Sequence, residues 1–358
     1  MTTPRKILIL GASYGSLLAS KLLFAGHEVK LVCLPAEADL INTEGFRVRM
    51  PVRGRKEQVV IDSRALPGKV SAAGTGDVNP ADYDLVGLAM QEPQYRSPGV
   101  RELLSAVARS RVPCMSIMNM PPLPYLRRIP GLDADALKPA YTDPSVWDEF
   151  DPGLLTLCSP DPQAVRPPDE QVNVLQVTLP TNFKVARFDD PKHTALLRQL
   201  EQDVDAVRFK APEGPIELPV KLRLSDSIFV PLAKWSMLLA GNYRCITADG
   251  MRTAQEAVHS NLAESKSVYD FVFDLCVQLG AKPADLVPFE KYAAAAESLT
   301  RPASAARALQ NGVAYIERAD KLVQLVARQK GLRHPVIDGI VELVDRRLQA
   351  NRDKLASK

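Results

Sequence analysis

The chain has 358 residues, 46% of them hydrophobic and 24% charged, with a net charge of +3. That length exceeds what one hydrophobic core comfortably holds and suits two domains. The small positive excess is spread too evenly for a nucleic-acid surface, and no uninterrupted apolar run reaches the length of a bilayer span.

The five cysteines, Cys33, Cys114, Cys158, Cys245 and Cys276, are odd in number and scattered without a C-x-x-C pair. This points to reduced thiols in a cytosolic protein. Arg5-Lys6 ahead of an apolar run imitates a signal peptide, but glycine, serine and tyrosine interrupt that run. His27-Glu28-Val29 then restarts a strand where a cleavage site would fall. The expectation is a cytoplasmic protein with a small-molecule substrate and neither a membrane nor a nucleic-acid partner.

Residues 5–34 read as strand, tight turn, helix, strand. Ile7-Leu8-Ile9-Leu10 meets a glycine loop, Gly11-Ala12-Ser13-Tyr14-Gly15, and a helical pattern runs to Gly26 before Val29-Lys30-Leu31-Val32. Such a unit buries its strands in a parallel sheet and turns the loop N–H groups and helix N-terminus toward an anion, most often a dinucleotide pyrophosphate. Ser13 and Ser16 stand where G-x-G-x-x-G needs glycines; read instead as G-x-S-x-G, the loop is one residue shorter than the fingerprint. Its N-terminal position and flanking strands nonetheless supply the context the motif demands. Gly11, Ala12, Ser13, Tyr14 and Gly15 are therefore candidate cofactor contacts; the alternative is that the glycines only let helix and strand pack closely. The same letters match G-x-S-x-G, but a hydrolase using Ser13 would need a histidine and an acid at that edge.

Farther along, residues 35–41 read as a short helix leading to Gly45, and residues 46–50 and 58–61 as strands. A sheet strand over 85–90 stops at Gln91-Glu92-Pro93-Gln94, a helix spans 100–109, and a strand over 112–118 ends at Asn119. Ligands lie at the carboxyl ends of strands in a doubly wound sheet, which adds Gln91 and Asn119 to the Gly11 edge. The proline-dense text of 121–168 predicts an ordered but irregular lobe. Residues 172–177 and 183–187 read as a strand pair, and 193–207 as a helix.

From Ser225 the chain reads as helical. Ser225 or Asp226 can cap a helix through Gly241, helical text from 254 to 279 stops at Gly280, and two or three more helices fill 288–352. The expected fold class is an α/β Rossmann-type domain over 1–222, carrying the proline-rich lobe, followed by an all-α domain over 223–358 for substrate binding and dimerisation. The four histidines sit apart without ligand spacing, so no metal site is expected.

With these motifs the chain resembles, over most of its length, the ketopantoate reductase family, within the wider group related to 6-phosphogluconate and 3-hydroxyacid dehydrogenases. Gly26-His27-Glu28-Val29 matches the family's G-H-x-V, and Asn119 matches an asparagine that ends a later strand, with Met120 in place of the glycine after it. The stretch 231–242 is similar to the helix that the family's catalytic lysine begins. The resemblance implies that Lys234 protonates a carbonyl oxygen during hydride transfer. Of two asparagines that usually follow, Leu238 replaces the first and Asn242 keeps the second, about 12 Å along the axis from Lys234. Read without the resemblance, Lys234 is either a snorkelling surface residue or a partly desolvated acid.

Ser304 matches the second of the family's serine pair and Gly312 its glycine. Ile316 then occupies the glutamate position, so that Glu317 fits with one residue inserted, a rotation of about 100° on a continuous helix, and Tyr315 is the alternative. The resemblance thus implies Lys234 and Glu317 as catalytic residues, and Asn119, Asn242 and Ser304 as substrate contacts. Leu34 stands where an arginine for the 2′-phosphate of NADP is common, and Gln91 where a lysine is frequent; NADP and NAD both stay open. The implied activity is an NAD(P)-dependent reductase, a homodimer, acting on a small 2-oxo or 2-hydroxy acid other than ketopantoate itself. Two further readings are a dinucleotide-binding sensor or scaffold without chemistry, and a lyase or isomerase that retains NAD.

Overall fold

The computed structural model describes residues 3–357. They group into two compact units: the chain through Met90 with Gln94–Met118 and Val146–Asp226, and Gln91–Pro93 with Asn119–Ser145 and the chain from Ser227 onward.

The strands are β1 (Lys6–Leu10), β2 (Glu28–Val32), β3 (Arg47–Met50), β4 (Val59–Asp62), β5 (Lys69–Ala73), β6 (Leu85–Leu88), β7 (Cys114–Ile117), β8 (Leu155–Ser159), β9 (Gln163–Val165), β10 (Val174–Leu179), β11 (Phe183–Ala186), β12 (Phe209–Ala211), β13 (Gly214–Ile216) and β14 (Leu222–Ser225). Eight of them form one sheet in the order β14-β11-β8-β7-β6-β1-β2-β5. From β5 to β8 the pairs are parallel, and β11 joins β8 antiparallel. Residues Ile7 to Leu10 of β1 are buried to within 1%, which is why this strand reads as an unbroken apolar run and not as an alternation. Because β1, β6 and β7 are neighbours and parallel, their carboxyl ends share one sheet edge, as the sequence suggested.

Helices α1 (Ala12–Phe24), α2 (Pro35–Glu44), α3 (Val100–Ser110), α4 (Leu123–Leu126) and α5 (Pro191–Ala206) follow in chain order, the short α4 belonging to the second unit. The side chain of α3 residue Glu102 accepts from the Gly99 backbone N–H at the helix start, and Asp190 caps α5 by accepting from Lys192 N at 2.7 Å.

Three expectations fail in this region. The proline-rich stretch is not one irregular lobe: residues 119–145 belong to the second unit, while β8 is a fully buried strand inside the large sheet of the first. Its text, Leu155-Thr156-Leu157-Cys158-Ser159, is a short apolar run of the kind a buried parallel strand uses, and the flanking prolines only bound it. Residues 172–177 and 183–187 do not pair with each other. Instead β10 pairs with β3 and β9 in a four-stranded sheet, whereas β11 joins the eight-stranded one, and Pro180 lies in the link that carries the chain from one sheet to the other. Finally, Ser225 ends strand β14 and the helical run begins only at Val230, after Phe229, so neither Ser225 nor Asp226 stands at its start.

Buried in α1 is a charged residue, Lys21, only 4% exposed. Its Nζ donates to the Pro219 carbonyl at 2.5 Å, with the Met50 sulfur at 3.8 Å. Burial, aided by the Lys221 charge, lowers its pKa from 10.5 to about 7. Between those two values the unfolded chain holds a proton that the folded chain has lost, so folding stability rises with pH across that window. The maximal slope is about 1.4 kcal/mol per pH unit. Urea unfolding at a series of pH values is expected to show this rise above pH 7, and Lys21→Met is expected to flatten it.

The second unit is helical: α6 (Lys234–Met237), α7 (Ala254–His259), α8 (Leu262–Leu279), α9 (Phe289–Ala296), α10 (Ser304–Gln310), α11 (Ala319–Gln329) and α12 (Pro335–Ala356). Four helices, and not two or three, follow residue 288. Between α6 and α7 the backbone widens into a π-helical turn over Leu238–Asn242 and tightens again over Tyr243–Cys245. Thr253 and Glu256 form a capping box on α7, the Asn261 side chain caps α8, and Gly280 ends α8 at φ 118°. The core face of α12 is Ile337, Ile340, Val341, Val344 and Leu348, spaced as one stripe of a helix.

Candidate active site

In the first unit the strand-to-helix turn is tighter than a loop. Helix α1 starts at Ala12, so Ala12, Ser13, Tyr14 and Gly15 form its first turn, and Gly11 alone makes the bend at φ 103°. The two glycines serve packing as well. A Cβ on Gly11 would lie 2.7 Å from Met90 Cγ and 2.8 Å from the Ala89 carbonyl oxygen, and one on Gly15 would lie 2.7 Å from Ile9 Cγ2. Gly11→Ala is therefore expected to cost about 1–3 kcal/mol from backbone conformation alone, with the clash added, as read by urea unfolding.

The α1 N-terminus carries no side-chain cap and no acidic residue in its first turn. Its leading N–H groups lack intrahelical partners, and the helix dipole favours an anion there. Ser13 is exposed at this end. Tyr14 points its hydroxyl elsewhere, donating to the Pro162 carbonyl at 2.6 Å, so it is held by the protein and not presented to a ligand. Leu34, just beyond β2, is 75% exposed.

The second unit contains a polar pocket with about 30 Å³ of space, lined among others by Gln91, Asn119, Asn242, Tyr243, Ser304 and Glu317. Five of these were singled out in the sequence as separate elements, and the fold brings them together. Asn119 Nδ2 donates to Glu317 Oε2 at 3.1 Å, while Glu317 Oε1 is buried without a hydrogen-bond partner. Burial pushes the Glu317 carboxyl up to about 7. The Asn119 amide and nearby backbone N–H groups oppose that shift, and the Glu92 charge adds to it. A carboxyl in that range exchanges a proton near neutral pH.

Glu317 reaches the pocket by a route the helical reading did not anticipate. Helix α10 ends at Gln310 and α11 begins at Ala319, so residues 312–318 form a non-helical link, with Gly312 at φ 79°, and no helical rotation applies. Ile316 and Glu317 both line the pocket, whereas Tyr315 is 38% exposed and lies under the Arg352 guanidinium. Two anchors hold the segment. The buried Tyr243 hydroxyl donates to the Glu317 carbonyl and accepts from Ala319 N at 2.9 Å. Arg318 forms a two-pronged pair with buried Asp320, at 2.9 Å on each oxygen.

Lys234 opens α6, is half-buried, and does not line this pocket. It precedes Asn242 by two turns on the same helical run, so one extended ligand could touch both. Sequence reasoning missed Tyr243 and Glu92. Glu92 is 2% exposed, and its two oxygens accept from Thr142 N at 2.9 Å and Thr142 Oγ1 at 2.8 Å. Each stands next to a residue that was singled out, Asn242 and Gln91, and adjacency was the available signal. Among the described residues no group of three or more His, Cys, Asp or Glu could hold a metal ion, and no helix is long and apolar enough to cross a membrane.

The sequence matches no family model and no curated protein. Solved structures do match. A PanE/ApbA family ketopantoate reductase from Ralstonia eutropha JMP134 is 16% identical, with 97% of this chain and 99% of that chain covered and a TM-score of 0.61. A D-mandelate dehydrogenase solved with NADH and anilino(oxo)acetate is 15% identical over 97% and 99%, with a TM-score of 0.63. A dimeric ketopantoate reductase from Staphylococcus aureus is 12% identical over 97% and 99%, with a TM-score of 0.60. An α/β unit with a largely parallel sheet, followed by a helical unit, is thus the fold that this chain shares with ketopantoate reductases and D-mandelate dehydrogenase.

Proposed function

We propose that the chain is an NAD(P)-dependent oxidoreductase that interconverts a small 2-oxo acid and its 2-hydroxy acid. The observation that carries this reading is the α1 N-terminus, opened by Gly11 and uncapped by any side chain, at the carboxyl edge of the parallel sheet. It fits the pyrophosphate of a nicotinamide dinucleotide, held by the N–H groups of Ala12, Ser13 and their neighbours. A likeness in fold to a dehydrogenase solved with NADH supports the same cofactor class, with NADH and NADPH both compatible with Leu34 after β2. A bound reduced nicotinamide supplies the hydride.

The chain's own residues then do the rest. Lys234 Nζ holds the proton that passes to the substrate's carbonyl oxygen, and takes it back in the reverse direction. Asn119, Asn242 and Ser304 orient the substrate, and Glu317 engages it from the pocket floor. The protein works as a homodimer in the cytoplasm, in keeping with the dimeric reductase of the same fold.

Incubating the purified protein with NADH or NADPH and a panel of 2-oxo acids, while following the loss of reduced-nicotinamide absorbance, tests the reading. Substrate-dependent oxidation supports it. Cofactor binding with no turnover of any acid would mark a sensor or scaffold, and turnover without net oxidation would mark a lyase or isomerase.

A further inference from the structure

We infer that the Glu317 pocket receives an ammonium group, so that the substrate is a short 2-oxo acid bearing a protonated primary amine at the end away from its carbonyl. The inference rests on the oxidoreductase reading above and names the substrate class of that same site.

Charge is the first argument. The residues that line the pocket include no lysine, arginine or histidine. Glu317 is the one ionisable carboxylic acid among them, and the Glu92 charge bears on it. Glu92 is fixed as an acceptor, since Thr142 donates to both of its oxygens. A substrate carboxylate placed here would face the Glu92 charge and, once ionised, that of Glu317, with no cation in the lining to offset them, so the 2-oxo acid end belongs toward Lys234 and the opposite end belongs in the pocket.

Hydrogen bonding is the second. Glu317 is 9% exposed, and its Oε1 makes no hydrogen bond, although the backbone N–H groups of Glu92 and Asn119 lie near enough to favour the charged carboxyl; a buried oxygen in that position gains free energy when a donor arrives. An ammonium carries three donors and no acceptor. Oε1 takes one of them, and the side-chain oxygens of Asn242 and Ser304 are the acceptors for the others. A hydroxyl offers a single donor and leaves the negative field unbalanced; a methyl group offers none.

Size and titration agree. About 30 Å³ of space is room for a small polar group. A carboxyl held near neutrality by burial ionises when a cation enters beside it, turning a neutral contact into a charge-assisted one.

The full-length protein tests this in two measurements. In the first, NAD(P)H-dependent turnover of 4-amino-2-oxobutanoate, 4-hydroxy-2-oxobutanoate and 2-oxopentanoate is compared for wild type and Glu317→Gln. The amine-bearing acid is expected to have a KM at least about tenfold below the other two, the worth of one charge-assisted contact, and Glu317→Gln is expected to erase that preference. In the second, propylammonium chloride is expected to raise the Tm of wild type but not of Glu317→Gln, with sodium chloride at equal ionic strength as control. Equal or better turnover of the hydroxyl or methyl acid overturns the inference and leaves the oxidoreductase reading standing, and so does the absence of a propylammonium shift in wild type. A Glu317-dependent shift with no turnover of any 2-oxo acid supports the ammonium pocket and overturns the oxidoreductase reading.

Discussion

Lys234→Ala is expected to lower turnover of the preferred 2-oxo acid by about 10²–10⁴-fold, the usual contribution of a positioned general acid, while leaving the affinity for NADH or NADPH unchanged. The split follows from where the residue lies. Lys234 opens α6 in the second unit, whereas the groups proposed to hold the dinucleotide are backbone N–H groups of α1 in the first. Fluorescence titration of the reduced cofactor, beside steady-state turnover, separates the two effects. A parallel fall in cofactor affinity and turnover would mean that Lys234 supports the fold, and unchanged turnover would return it to an ordinary surface lysine. Lys234→Arg keeps the charge but widens the donor, and it is expected to recover only part of the lost rate.

Arg318→Met is expected to destabilise the protein by about 3–5 kcal/mol, read by urea unfolding near pH 7, because it strands a buried carboxylate. Asp320 is fully buried, at 0% exposed. Burial raises its pKa above the ordinary carboxylate value, and the Arg318 guanidinium limits that rise without cancelling it. Without that partner the carboxylate must either stay charged in an apolar surrounding or bind a proton. The deficit of the variant is therefore expected to shrink as the pH falls, since protonation removes the buried charge. Replacing both partners, Arg318→Met with Asp320→Leu, is expected to recover most of the loss. The pair also flanks Glu317 in sequence, so the single variant is expected to weaken substrate binding even under conditions where it remains folded.

The fold class was legible because its signals are local. β1, β2, β6 and β7 are short apolar runs bounded by glycine, proline or acidic residues, and α2, α8 and their glycine stops at Gly45 and Gly280 follow from helix-capping chemistry. What could not be read depends on distant partners. β10 and β11 are eligible for each other as text, and only the pairing of Val174 with Arg47 on one side and of Phe183 with Leu222 on the other separates them into two sheets. β8 was hidden by prolines that mark its ends.

The pocket shows the same division. Asn119, Asn242, Ser304 and Glu317 could be singled out one at a time, by strand ends and by resemblance. Their convergence depends on a non-helical segment, 312–318, that looked like helix and is pinned by Tyr243 and Arg318. Nothing in a local window says that a tyrosine hydroxyl will bond to a carbonyl more than seventy residues away.

The π-helical turn over Leu238–Asn242 acts as a register slot in the helical run that begins at Lys234. A turn closed by i→i+5 bonds holds one more residue than an α-turn. Everything after it is therefore set about 100° around the axis from where a regular helix would leave it. Removing one residue from this stretch would let it relax to α geometry and swing Asn242 and Tyr243 off the wall they now line, while the start of the run at Lys234 kept its place. The slot thus uncouples the two ends of the helical run: the aim of the residues beyond it is adjusted by gaining or losing one residue, with no change in the packing that fixes the lysine.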